Sequence, residues 1–200
     1  MIPQPKPFLS FDDWLAAERA SLDGRTEYSD GEVFAMAGAS EAHNLIVANV
    51  IRELGNQFKG RPCVVYPSDM KVRVETTRTG AYPDVMVVCG PRTFLDESRD
   101  VLTNPTLIIE VLSDSTEAWD RGGKFAAYRS LPSLRAFLLL SQRAMQAESF
   151  VRADDDTWTL RAFSGPDAVV PLAAAEASLQ LREVYDKVDL PLGVTPVGPG

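Results

Sequence analysis

Long apolar runs are missing from this 200-residue chain. No stretch approaches the roughly 20 consecutive apolar residues of a membrane-spanning helix, so no membrane is expected among its partners. Cysteine is scarce: Cys63 and Cys89 are the only two. A scaffold built on disulfides would need more. Each lies in an apolar, strand-like run, which suits buried free thiols and a reducing cytoplasm as the expected location. The opening MIPQPKPFLS holds no apolar signal-peptide core, so nothing in it marks export. Positive charge is also short, with 20 Lys and Arg against 28 Asp and Glu and a net charge of −8. Such a chain repels phosphate at long range. That speaks against tight non-specific nucleic-acid binding but leaves room for a small basic groove or a metal-dependent site.

Internal repeats and linkers are lacking too. What is there has an ordinary globular balance, 45% hydrophobic and 24% charged, and enough length for one domain with a real core. A loose Pro-rich arm is expected at 1–8, a single domain at 9–188, and a frayed Pro/Gly-rich tail at 189–200. Ser10 reads as the N-cap of a helix over FDDWLAAERA, with Asp12 and Asp13 in its first turn. RTEYSDGEVFAMAG reads as a hairpin turning at Asp30-Gly31. Ser40 caps a second helix, EAHNLIVANVIRELGNQFKG, which ends at Gly60.

Strands follow the second helix. CVVYPSD and MKVRVET form either one bent strand or a pair around Ser68. PDVMVVCG and PTLIIEVLS are apolar enough to be buried on both faces, and the polar PRTFLDESRDVLTN connects them. A helix is expected over about 117–130, stopped by Pro132. RAFLLLS, MQAESFVRA and TWTLRAF read as further strands, and LREVYDKV as a short last helix. The sum is one α/β domain.

Within PTLIIEVLSDST, Glu110 interrupts a dry strand. Buried there ionised and unpaired, it would cost several kcal/mol, roughly. Asp84 opens the neighbouring apolar strand. If the two strands are adjacent, both carboxylates reach one point at the end of the sheet. Two carboxylates that close need a shared proton or a cation between them. Mg²⁺ fits, because it takes one or two carboxylates and keeps its other positions for water and phosphate; the Val111 carbonyl could join them. The other account of Glu110 is a buried ion pair with Lys or Arg that only stabilises the fold. Lys124 and Tyr128, four apart, share one helix face. By default the tyrosine is core and the lysine solvated. Aimed at the strand ends, Lys124 could orient an attacking water or stabilise developing phosphorane charge.

These residues carry a resemblance. Pro83-Asp84, EVLS at 110–113, and Asp120, Lys124 and Tyr128, together with YSDGEVFAMAGAS, AHNLIVANV, SDMKVRV and LPSLRAFLLLS, resemble the Uma2 family over about residues 8–188. That family belongs to the PD-(D/E)XK restriction-endonuclease-like superfamily. The resemblance implies a central mixed β-sheet flanked by helices, with an added N-terminal helix and hairpin and added C-terminal strands. Its core of helix, three strands, helix and strand would run from the 40–59 helix, through strands ending at 83–89 and 106–112 and the 117–130 helix, to 135–141. It further implies a Mg²⁺-dependent nuclease, with Mn²⁺ as a substitute metal, whose catalytic residues are Asp84, Glu110 and Lys124 and whose metal ligands are Asp84, Glu110 and Val111. The superfamily's usual lysine position falls on Leu112, so the role would have moved to Lys124. Glu32, His43 and Tyr128 are secondary candidates, of which Glu32 and His43 could reach the metal's outer shell. Asp69 and Ser113 read more simply as turn and strand-end residues. The expected partners are nucleic acid, DNA first, and a second copy in a homodimer. The rival from another class is a module that keeps the fold to bind DNA or a protein without catalysis. A homodimeric fold with no present activity is a third.

Overall fold

Two serines set the two long helices. In the computed structural model, Ser10 Oγ accepts the Asp13 N–H at 3.1 Å and opens α1 (Phe11–Ala20); Ser40 Oγ accepts the His43 N–H at 3.1 Å and opens α2 (Glu41–Gln57). Between them β1 (Thr26–Ser29) and β2 (Glu32–Ala35) form the expected hairpin. Asp30 and Gly31 both take positive φ, 48° and 93°, as a two-residue turn of this twist requires. The structure describes residues 8–22, 24–36, 38–113 and 117–191. Residues 1–7 of the expected arm and 192–200 of the expected tail lie outside those residues.

The segment after α2 divides into β3 (Cys63–Pro67) and β4 (Lys71–Val74), which belong to different sheets. They are followed by β5 (Thr79–Ala81), β6 (Val85–Cys89), β7 (Val101–Leu102) and β8 (Leu107–Leu112). The expected helix at 117–130 is real but interrupted: α3 (Glu117–Trp119), a π-helical turn (Asp120–Lys124) and α4 (Phe125–Tyr128). Then come β9 (Ala136–Ser141), β10 (Gln146–Arg152), β11 (Trp158–Ser164), β12 (Val169–Leu172), a 3₁₀ turn (Ala173–Ala175), β13 (Ala177–Gln180) and α5 (Leu181–Val184).

Three sheets result, ordered β2-β1-β5-β4-β7, β11-β10-β9-β8-β6-β3 and β12-β13. In the six-stranded sheet β3, β6 and β8 form an antiparallel meander, and β9 joins β8 in parallel through the 117–128 crossover. One core cluster lies between the face of that sheet carrying Val85, Ile109 and Leu138 and the residues Ile46 and Val50 of α2. A second fills the space between the two large sheets. It joins Met86, Ile108 and Phe137 to Val72 and Val74, with Tyr128 of the crossover among them. The third packs Phe11, Trp14 and Leu15 of α1 on Tyr28. The crossover therefore runs between the two large sheets, and both can contribute to a site at its side.

Two sequence readings are corrected here. PRTFLDESRDVLTN is not only a connection, because its Val101–Leu102 pairs with β4 as β7. Cys63 and Cys89 are not free thiols. They sit directly opposite each other on β3 and β6 and are joined as a disulfide. Each strand was legible as apolar, but the register that faces one cysteine with the other was not. Among the described residues no helix is long and apolar enough to cross a membrane.

Candidate active site

Pro83 has no N–H to give a ladder, and β6 starts two residues later at Val85. Val85 pairs with Ile109, so the next step outward brings Asp84 level with Glu110. The side chains take over from the ladder there. The Asp84 N–H donates to Glu110 Oε2 at 3.3 Å, and Asp84 Oδ2 accepts the Val111 N–H at 2.8 Å. The two carboxyl groups therefore lie within about 7 Å of each other on ordinary bond geometry. Residues of a strand send N–H and C=O to the same side, so the Val111 carbonyl is turned towards Asp84 as well. His43, in the first turn of α2, brings Nε2 to 3.1 Å from Asp84 Oδ2.

Glu110 has its partners on the crossover. Tyr128 Oη donates to Glu110 Oε1 at 3.1 Å, and Lys124 Nζ is 3.3 Å from the same oxygen. The spacing of four, which put both residues on one helix face, is what aims both at one carboxylate. The solvated default for Lys124 does not hold: its side chain is 7% exposed. Its ammonium also meets Glu27 Oε1 at 3.0 Å and Asp120 Oδ1 at 3.2 Å, the latter off the hydrogen-bonding direction. The π turn that places Asp120 and Lys124 contains Gly122 and Gly123. Such turns recur at functional sites.

Three carboxylates, Glu27, Glu110 and Asp120, thus surround one ammonium, and a fourth, Asp84, acts on Glu110 from the other side. Burial raises the Glu110 pKa well above the ordinary carboxylate range. Lys124 works against that rise, while Asp84, Asp120 and Glu27 add to it. Burial would lower the Lys124 pKa, but Glu110, Glu27 and Asp120 outweigh it and hold the proton firmly on. Tyr128 is pushed well up by burial and by Glu110, so it stays a donor. The Asp84 side chain is 14% exposed and the Glu110 side chain 3%, so Asp84 is the carboxylate nearer solvent.

Of the residues singled out from sequence, Asp84, Glu110, Lys124, Tyr128 and His43 come together, and Val111 joins through its backbone. Glu32 does not: it is exposed on β2. The hairpin's contribution is Glu27 of β1, which sequence reasoning missed. Among the described residues before α2 it is the one buried polar or charged side chain, and its Oε1 meets the Lys124 ammonium, while Tyr28 beside it packs with Phe11, Trp14 and Leu15 of α1. Asp69 pairs with Arg25 at the surface, and Leu112 is core. Among the described residues no three His, Cys, Asp or Glu side chains form a metal-holding group.

A profile of the Uma2 family, described as "Putative restriction endonuclease", matches residues 11–183. Two Synechocystis sp. proteins are similar. "Uncharacterized protein slr1290" is 36% identical over 163 residues, covering 82% of this chain and 84% of its own. "Uncharacterized protein sll1609" is 32% identical over 170 residues, covering 85% and 96%. Among solved structures, a chain from Anabaena variabilis described as "a putative nuclease belonging to DUF820" superposes with a TM-score of 0.72 at 16% identity, covering 88% of this chain and 97% of that one. At that identity the likeness speaks to the fold, which is restriction-endonuclease-like.

Proposed function

The chain belongs to the Uma2 family, and from that premise we propose that it is a Mg²⁺-dependent endonuclease that hydrolyses phosphodiester bonds in nucleic acid, DNA first. The observation that carries this reading is the opposed pair Asp84 and Glu110 at the end of the β6–β8 ladder, inside a cluster of four carboxylates with one ammonium. That excess of negative charge fits a divalent cation. Asp84, Glu110 and the Val111 carbonyl would hold it, a donor set of the hard oxygens that Mg²⁺ or Mn²⁺ prefers. Bound there, the cation would lower the pKa of an attacking water and offset charge on the phosphate.

The chain's own side chains set up the rest. Tyr128 and Lys124 fix the Glu110 carboxylate from one side, and His43 with the Val111 N–H fixes Asp84 from the other. Lys124 is the site's only ammonium and takes the part that the superfamily pattern gives to position 112. It offsets negative charge as it develops on the phosphate.

The second reading, a non-catalytic module, is favoured by one observation: Lys124 is closed in by three carboxylates with 7% of its side chain exposed. Incubation of single-stranded and duplex DNA and RNA with Mg²⁺ or Mn²⁺ separates the two. The nuclease reading expects cleavage that EDTA, Glu110→Ala and Asp84→Asn each abolish, and a rise in thermal midpoint of the wild type with Mg²⁺. Absence of both cleavage and metal stabilisation would leave the binding module.

A homodimer and a cytoplasmic location go with the nuclease reading. Light scattering at micromolar concentration that gives a monomer would remove the first. A cytoplasmic protein would meet reductants able to open the Cys63–Cys89 bond.

A further inference from the structure

Two large aromatic side chains stand open to solvent beside the carboxylate–lysine cluster. Phe34 is 43% exposed and Trp119 36%. Their ring centroids are 5.7 Å apart and their planes differ by 30°. Phe34 lies opposite Glu27 in the β1–β2 register, so both side chains rise from one face of the hairpin. Glu27 is the residue whose Oε1 sits 3.0 Å from Lys124 Nζ. Trp119 directly precedes Asp120, another partner of that ammonium. The indole rests on Gly123, where an added Cβ would fall 1.9 Å from the ring. A glycine there lets the ring lie back against the π turn. Aromatic faces from two separate elements are thereby fixed next to two members of the site.

A nucleic acid on this protein has little to gain from phosphate contacts. The chain carries 20 basic against 28 acidic residues. Near the site, Arg121 is already engaged by Glu117 at 2.8 Å and Glu148 at 2.5 Å. Stacking on an aromatic face needs no positive charge and is indifferent to base identity. Bases inside a duplex have both faces covered by their neighbours, so only an unpaired or extruded base can use such a surface.

We infer that Phe34 and Trp119 form a stacking platform for an unpaired nucleobase next to the scissile phosphate, which makes unpaired strand the substrate class. The inference rests on the nuclease reading for the phosphate, and its test is chosen to fail separately. Binding is measured in EDTA, without turnover, by anisotropy of labelled oligothymidylate, the matching oligouridylate, and the oligothymidylate–oligoadenylate duplex. Tryptophan fluorescence is followed in parallel.

The expected result is strand binding at least about tenfold tighter than duplex binding, with quenching of the indole emission. Trp119→Ala and Trp119→Leu should each weaken strand binding by about tenfold, the leucine because it keeps apolar cover but offers no ring face. Trp119→Phe should restore most of the affinity and lose the quench. The two strands decide between DNA and RNA without touching the inference. Wild-type binding that favours duplex, strand binding that is absent, or unchanged affinity in the alanine and leucine variants would each overturn it. So would conversion of a dimer to a monomer by Trp119→Ala with strand binding intact, because the surface would then belong to a second copy. Strand binding that depends on Trp119 in a protein that never cleaves would sink the nuclease reading alone. Duplex cleavage that persists in Trp119→Ala would sink the platform alone.

Discussion

Replacing Lys124 with methionine keeps the length of the side chain and removes its charge. In the wild type Nζ lies 3.0 Å from Glu27, 3.2 Å from Asp120 and 3.3 Å from Glu110. Each contact is worth about 5 kcal/mol of Coulomb attraction at an effective dielectric of 20, most of it offset by the desolvation of both partners. Removing one member of a buried set leaves the others unpaired, at a net cost of about 3–5 kcal/mol. For a domain of this size that lowers the thermal midpoint by about 10 °C. The cost depends on pH with a definite sign. Burial raises the Glu110 pKa, and Lys124 is the group that opposes the rise. Without Lys124 the folded pKa goes higher still. A carboxyl that holds its proton more tightly folded than unfolded loses stability as pH rises from its unfolded pKa towards its folded one. The deficit of Lys124→Met should therefore be smallest near about pH 5 and grow towards about pH 8. Circular dichroism melts of both proteins across that range measure it. A loss under about 2 °C at the upper end, or a deficit flat with pH, would refute the buried-cluster reasoning.

Three further outcomes follow from particular contacts. Tyr128→Phe keeps the packing on Phe137 but leaves Glu110 Oε1 short of a donor, so urea denaturation should show a loss of about 1–3 kcal/mol; no loss would mean the 3.1 Å contact is not a hydrogen bond. Reducing Cys63–Cys89, which closes a separation of 26 residues, should cost about 3 kcal/mol and expose two titratable thiols, whereas two thiols without reductant would contradict the pairing. Asp100 is held down to about 2, chiefly by its hydrogen bond from Arg19, against burial and with help from Lys71. Its stabilisation is present above the unfolded carboxylate pKa and lost as pH falls towards about 2, so Asp100→Asn should destabilise at neutral pH and converge with the wild type in acid.

Much of the fold was legible because its signals are local. Ser10 and Ser40 cap their helices through contacts three residues away, and Asp30-Gly31 turns its hairpin by backbone preference. The apolar runs around Val87 and Ile109 announced buried strands, and the spacing of Lys124 and Tyr128 announced a shared face. What escaped depends on partners distant in sequence. β5 and β7 have three and two residues, and they are strands only because β4 lies between them. The β3–β4 segment reads as one run until its halves pair in different sheets. Cys63 and Cys89 look like buried thiols until the register faces them. Glu27 escaped for another reason: both faces of its sheet are covered, one by α1 and one by the site, so alternation no longer separates inside from outside. Lys124 escaped the solvated default because the crossover runs between two sheets.

We propose that Asp84 and Glu110 hold one divalent cation at the end of the β6–β8 ladder. Anomalous diffraction from a crystal soaked in Mn²⁺ tests it most directly. The expected result is a peak at about 2.1 Å from an oxygen of each carboxylate, with the Val111 carbonyl as a third ligand. A site empty of anomalous signal at saturating Mn²⁺, with Glu110 still bound to Lys124 and Tyr128, would contradict it and leave the cluster as a buried ion network.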